Sequence, residues 1–181
     1  MKSCASLAIS AVCLASGLLA AAPAQAAVTD WKTVDATVCQ PYGPGTSASE
    51  LVYNQLGVTN PGVTNESVMC PMPVDGDVAW SATPGTGAVV YAYFRAGATA
   101  GRIVCTAFAS KASIVTGPTY SVTSNAGNVA AGARSQIYLM LADTTAGGWT
   151  TGPTTVLLCT LMPKVTLAGF SFIEGVITNT P

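Results

Sequence analysis

The sequence contains no histidine, and charged residues make up only 8% of its 181 positions. Without an imidazole there is no Ser-His-Asp or Cys-His constellation, and no histidine ligand for zinc, copper or iron. The 7 basic and 8 acidic side chains are sparse and nearly balanced, so the chain offers no basic footprint for nucleic acid or anionic lipid. No two cysteines of the later chain are spaced C-x₂₋₄-C, the usual mark of a structural zinc site. Helix signals are scarce as well. The best stretch, residues 126–133, is interrupted by Gly127 and Gly132, and each glycine costs a helix interior about 1 kcal/mol. The absence of a fixed-period repeat speaks against a solenoid or propeller.

The N-terminus carries a different signal. Lys2 supplies a short positive region, residues 5–22 carry no charge, and the run ends at Pro23 followed by Ala24-Gln25-Ala26. That is the pattern of a secretory signal peptide with an A-x-A cleavage site. An uncleaved anchor is the competing reading, because about 18 apolar residues approach the length that spans a bilayer; the alanine richness and the small-residue site favour cleavage. Cys4 and Cys13 lie in this segment, but Cys13 follows Val12, where a lipoprotein signal would want a small residue. The expectation is a leader at residues 1–26 and a single domain at residues 27–181. The domain would then be soluble or surface-associated in the periplasm, at the cell surface or outside the cell, without membrane insertion after cleavage. The alanine-rich leader has a bacterial character.

Four cysteines follow the leader: Cys39, Cys70, Cys105 and Cys159. An even number in an exported chain favours two disulfides over free thiols or a metal cage. Three connectivities are open. Cys105 and Cys159 sit within apolar, strand-like runs that could face each other, and Cys39 and Cys70 flank a candidate hairpin, so Cys39–Cys70 with Cys105–Cys159 is the preferred set.

Short β-type runs punctuated by Gly, Pro, Asn and Asp dominate the rest. Expected strands cover residues 33–39, 51–58, 67–70, 78–80, 87–95, 102–109, 119–123, 135–141, 154–161 and 170–177. The clearest is residues 87–95, where Val89, Tyr91 and Tyr93 fall on one side and Val90, Ala92 and Phe94 on the other. Its β-branched and aromatic crowding favours an extended chain over a helix. The turn at residues 97–101 suggests a hairpin to the next run. Residues 125–128 and 146–148 read as further turns. The fold class implied is all-β: a single small β-sandwich, immunoglobulin-like or jelly-roll-like, of about nine short strands stapled by two disulfides.

No catalytic, metal or cofactor-binding set emerges, and no cofactor is implied. The carboxylates available for acid–base work are Asp30, Asp35, Glu50, Glu66, Asp75, Asp77, Asp143 and Glu174. A glycosidase needs two of these across one sugar, and nothing in the sequence pairs them. Asp75-Gly76-Asp77 could offer oxygens to calcium but lacks the remaining ligands of a calcium loop and reads as a polar turn. Trp31, Trp80 and Trp149, with Tyr42 and Tyr53, could form a platform for a sugar ring, although core packing is the commoner fate of such residues. Asn65-Glu66-Ser67 is formally an N-glycosylation acceptor.

Three stretches carry a resemblance: Cys39-Gln40-Pro41-Tyr42, Leu51-Val52-Tyr53-Asn54 with Gly57-Val58-Thr59-Asn60, and Cys70-Pro71-Met72-Pro73. In these the chain resembles a group of exported bacterial proteins that look like disulfide-framed β-sandwiches, with C-P-x-P after the second cysteine and a late C-x-[LIM]-P. Here Cys159-Thr160-Leu161-Met162-Pro163 has one residue more before the proline. The resemblance implies a fold and an export route and brings no catalytic residue.

Three function classes stay open. The first is a secreted or surface non-enzymatic structural or interaction domain, binding itself or a surface protein; low charge gives little repulsion between copies. The second is a carbohydrate-binding module whose partner is a polysaccharide. The third is a histidine-free hydrolase built on carboxylates.

Overall fold

From Ala88 to Ala96 the chain alternates Ala, Val and Phe on one side with Val, Tyr and Arg on the other, a period of two that suits a strand buried on one face. The computed structural model describes residues 30–43, 50–73, 86–111, 119–142 and 154–176; the expected leader at residues 1–26, the expected strand at 78–80, the turns expected at Asp75-Gly76-Asp77 and at 146–148, and Trp80, Asp143 and Trp149 lie outside them.

Among the described residues the strands are β1 (Asp30–Asp35), β2 (Gln40–Pro41), β3 (Val52–Asn54), β4 (Gly57–Thr59), β5 (Glu66–Pro71), β6 (Thr86–Ala96), β7 (Gly101–Lys111), β8 (Thr119–Val129), β9 (Arg134–Ala142), β10 (Thr154–Leu161) and β11 (Val165–Val176). A first sheet runs β3-β4-β11-β6-β9 with β1 also beside β11, and a second runs β2-β5-β10-β7-β8. The two form a β-sandwich. Within it β4 pairs with β11, β5 with β10, β6 with β9 and β7 with β8, all antiparallel. This nesting is that of one long hairpin, with its tip between β7 and β8, rolled so that successive pairs fall alternately in the two sheets. It is a jelly roll.

Several boundaries differ from the sequence-based expectation. The strand expected over residues 33–39 stops at Asp35, whose side chain accepts from Thr37 N at 2.8 Å and starts a 3₁₀ turn, Ala36–Val38. The run at 51–58 is two strands, because Asn54 Oδ1 accepts from Leu56 N at 2.8 Å and Gly57 takes φ +110°. At Gly57 a Cβ would collide with the Leu167 carbonyl oxygen, so only glycine lets β4 lie so close to β11. Residues 97–101 make a corner from one sheet to the other, not a hairpin within one. Residues 125–128 lie inside β8. There a Cβ on Gly127 would stand 2.5 Å from Ile137 Cγ2 and 2.6 Å from Phe94 Cζ, so this glycine serves close packing against the other sheet rather than a turn.

The core lies between the sheets. Ala88, Val90, Ala92 and Phe94 of β6 face Ile103, Cys105 and Ala107 of β7 and Leu157, Cys159 and Leu161 of β10, all at most 1% exposed. The disulfides join Cys39 to Cys70 and Cys105 to Cys159. Cys105 and Cys159 stand directly opposite each other on β7 and β10. Cys39 precedes β2, which pairs with β5 through Gln40–Met69 and Pro41–Val68, so the other bond also closes a pair of adjacent chains. What lies between Cys39 and Cys70 is the excursion of β3 and β4 into the first sheet.

Asn60, fully buried, ties the turns at one end. Its Nδ2 donates to Thr64 O and Leu161 O at 2.7 and 2.9 Å, and its Oδ1 accepts from Gly62 N at 2.9 Å. Its backbone exchanges bonds with Val165 O and Lys164 N, so the β4–β5 and β10–β11 connections are held as one unit.

Candidate functional site

The outward face of the first sheet brings together Trp31, Tyr91, Tyr93 and Tyr138. The β1–β11–β6–β9 register places Trp31, Ile173, Val89 and Met140 in one row, and Thr33, Ser171, Tyr91 and Tyr138 in the next. A third row holds Asp35, Gly169, Tyr93 and Gln136. Thr166, Arg95 and Arg134 make a fourth, with Thr59 of β4 beside Thr166. From the row of Val89 to that of Arg95 the face extends about 20 Å along the strands.

Trp31 is 58% exposed and stacks on Tyr91, with ring centroids 6.2 Å apart and planes 7° from parallel. Its indole Nε1 donates to Thr33 Oγ1 at 3.3 Å, and Thr33 shares a 3.2 Å hydrogen bond with Ser171. The large exposed ring is therefore held in one orientation from two sides, as an offset-stacked aromatic pair permits.

Farther along the face, a hollow of about 600 Å³ opens against Tyr93, Gln136, Arg95 and Arg134. Ala168, at the irregularity of β11 between Leu167 and Gly169, contributes only a methyl group to its lining. Gln55 and Leu56, at the tip of the β3–β4 hairpin, form a wall. A second hollow of about 850 Å³ adjoins it across Arg95 and is lined by Lys164, Thr166, Asn54 and Pro61.

The sequence-predicted platform is thus only partly the observed one. Trp31 belongs to it, but its neighbours are Tyr91, Tyr93 and Tyr138. Tyr42 lies beyond β2 at the edge of the second sheet, its amide bonded to Ser67 O. Tyr53 packs against the core; burial raises the pKa of its hydroxyl, and that oxygen is the one buried side-chain N or O without a hydrogen-bond partner among the described residues. The signal for Tyr91 and Tyr93 was present in the sequence, since both fall on the side of β6 opposite Ala92 and Phe94.

None of the described carboxylates lines either hollow, and Glu50 is exposed just before Leu51. Asp35 caps the 3₁₀ turn. Glu66 is buried and accepts from Thr64 Oγ1 at 2.8 Å. Glu174 is fully buried on the core side and bonds to Lys32 Nζ at 2.9 Å. Asp30 stands opposite Glu174 in the β1–β11 register. Among the described residues no three of His, Cys, Asp and Glu come together as a metal cluster, and no helix is long and apolar enough to cross a membrane. Asn65 is exposed just before β5.

No protein-family model matches the sequence, and no curated protein matches it. Among solved structures, the chain is similar to a family 11 carbohydrate-binding module from Clostridium thermocellum in complex with a β-1,3-1,4-mixed-linked tetrasaccharide. The two are 15% identical over 83% of this chain and 97% of that one, with a TM-score of 0.43. It is also similar to the xylan-binding module CBM15, at 10% identity over 82% of this chain and 97% of that one, with a TM-score of 0.42. At such values no residue correspondence follows.

Proposed function

We propose that this is an exported, non-enzymatic domain that binds polysaccharide on the outward face of its first sheet. The observation that carries the reading is the exposed Trp31 ring, fixed on Tyr91 and continued by Tyr93 and Tyr138 toward an open hollow with polar walls. A pyranose presents a face of C–H groups and a rim of hydroxyls. A fixed aromatic plane takes the first, and Gln136, Thr33 and the arginines offer partners to the second. A face about 20 Å long suits a chain of sugars better than a single one. The leader at residues 1–26 and the two disulfides support an oxidising compartment outside the cytoplasm. The lack of histidine and the dispersal of the described carboxylates support a binding role over hydrolysis.

The test is binding to a panel of soluble and insoluble polysaccharides by affinity electrophoresis and pull-down. The expected result is retention by at least one of them, with Trp31→Ala weakening it about tenfold or more, ~1.4 kcal/mol or above. A protein that no polysaccharide retains, or a Trp31→Ala variant that binds as the wild type does, contradicts the proposal.

A second reading, self-association, is favoured by the opposite face. There Pro71, Val156, Phe108 and Val122 form a continuous cross-strand row on the second sheet, with Phe108 38% and Val122 57% exposed. With so few charges, little repulsion keeps two such faces apart. It predicts a dimer in size-exclusion chromatography with light scattering, converted to monomer by Val122→Lys. A wild-type protein that stays monomeric at millimolar concentration disposes of it.

A further inference from the structure

Arg95 and Arg134 stand directly opposite each other on β6 and β9 and line the same hollow. Like charges opposite each other across an antiparallel pair destabilise it, and the chain has only 7 basic residues in all. Arg95 also borders the adjoining hollow, whose far side is lined by Lys164, its ammonium donating to Pro61 O. Among the described residues no Asp or Glu lines either hollow, and neither arginine has a carboxylate partner. Three cations are therefore gathered where the sugar-binding face deepens, in a chain that is acidic overall.

The geometry points to an acidic polysaccharide as the ligand, one whose carboxylate or sulfate groups enter between Arg95 and Arg134; this rests on the carbohydrate-binding reading above. A guanidinium offers a planar fork of donors that meets a carboxylate or sulfate with two parallel bonds. Two forks side by side hold one anionic group from both edges, and an anion between them removes their mutual repulsion. Tyr91 and Tyr93, on the same face, lie beside the path of the sugar ring that carries the group.

The experiment compares polygalacturonate with its fully methyl-esterified form, which keeps the sugar chain and removes the charge, alongside dextran sulfate and neutral xylan. Wild-type protein is expected to bind the free acid or the sulfate about tenfold or more tightly than the ester, with the preference shrinking as salt rises. Arg95→Gln and Arg134→Gln each abolish most of that preference, while Arg102→Gln, on the second sheet, leaves it intact. Preference for polygalacturonate marks the group as a carboxylate and preference for dextran sulfate as a sulfate; both support an anionic sugar. Both glutamine variants should melt at or above the wild-type temperature, because each relieves the like-charge pair. Equal affinity for acid and ester, or variants that keep the preference, overturns the inference while leaving carbohydrate binding in place. Retention by none of the four overturns both.

Discussion

Replacing Cys105 and Cys159 together by alanine is expected to lower the unfolding free energy by about 4 kcal/mol, from the loop-closure entropy restored to the unfolded chain. The bond closes 54 residues and lies fully buried between β7 and β10 at the centre of the second sheet. The Cys39–Cys70 bond closes 31 residues, and by the same reasoning its removal also costs about 4 kcal/mol. The two losses should differ in character. β2 is only two residues long and among the described strands pairs with β5 alone, so without Cys39–Cys70 the segment around Gln40 should exchange its amide hydrogens rapidly while the central strands stay protected. Without Cys105–Cys159 the whole fold loses protection together. Urea unfolding with hydrogen exchange measures both. A midpoint unchanged by loss of Cys105–Cys159 would show that the unfolded chain is already constrained by something else.

Lys32→Met is expected to destabilise the protein by about 3 kcal/mol. Lys32, on β1, reaches the Glu174 carboxylate on the core side of β11; their side chains are 19% and 0% exposed. Removing the ammonium takes an opposite charge from an acid that has no access to solvent, and the desolvation cost of that acid then stands against folding. The double variant Lys32→Met with Glu174→Met should recover much of the loss, because the buried acid is then removed together with its cation. Urea midpoints for the two single variants and the double form a thermodynamic cycle. A Lys32→Met protein as stable as the wild type would contradict the role given to the pair.

Strands were legible where the two faces alternate, although the expected run at 170–177 missed the buried start of β11, from Val165 to Leu167. Residues 87–95, 135–141 and 154–161 alternate cleanly, and each forms a strand within a residue or so of the expected bounds. The sheets themselves were harder to read, because a turn such as residues 97–101 has the same composition whether it joins neighbours or carries the chain to the opposite sheet. Glycine was ambiguous for a similar reason. Gly127 looks like punctuation yet lies inside a strand pressed against Phe94, whereas Gly57, read as the interior of one strand, turns the chain at φ +110° and lets β4 lie close to β11. Asn60 reads as a turn residue, and nothing local reveals that its amide is buried and bonded to Leu161, a residue 101 positions away. The face that carries the candidate site was half visible: Tyr91 and Tyr93 share a side by alternation, but their meeting with Trp31 depends on β1 pairing with β11, and that pairing is set by the whole topology.

On the proposed function, ligand meets the outward face of the first sheet. Amide and indole chemical-shift mapping tests it most directly, with galacturonate oligomers and xylan fragments added to ¹⁵N-labelled protein. Concentration-dependent shifts are expected for the Trp31 indole N–H and for residues of β1, β6, β9 and β11 on that face, with Phe108 and Val122 of the second sheet unmoved. Shifts centred on the second sheet, or none with either sugar at millimolar concentration, would contradict it.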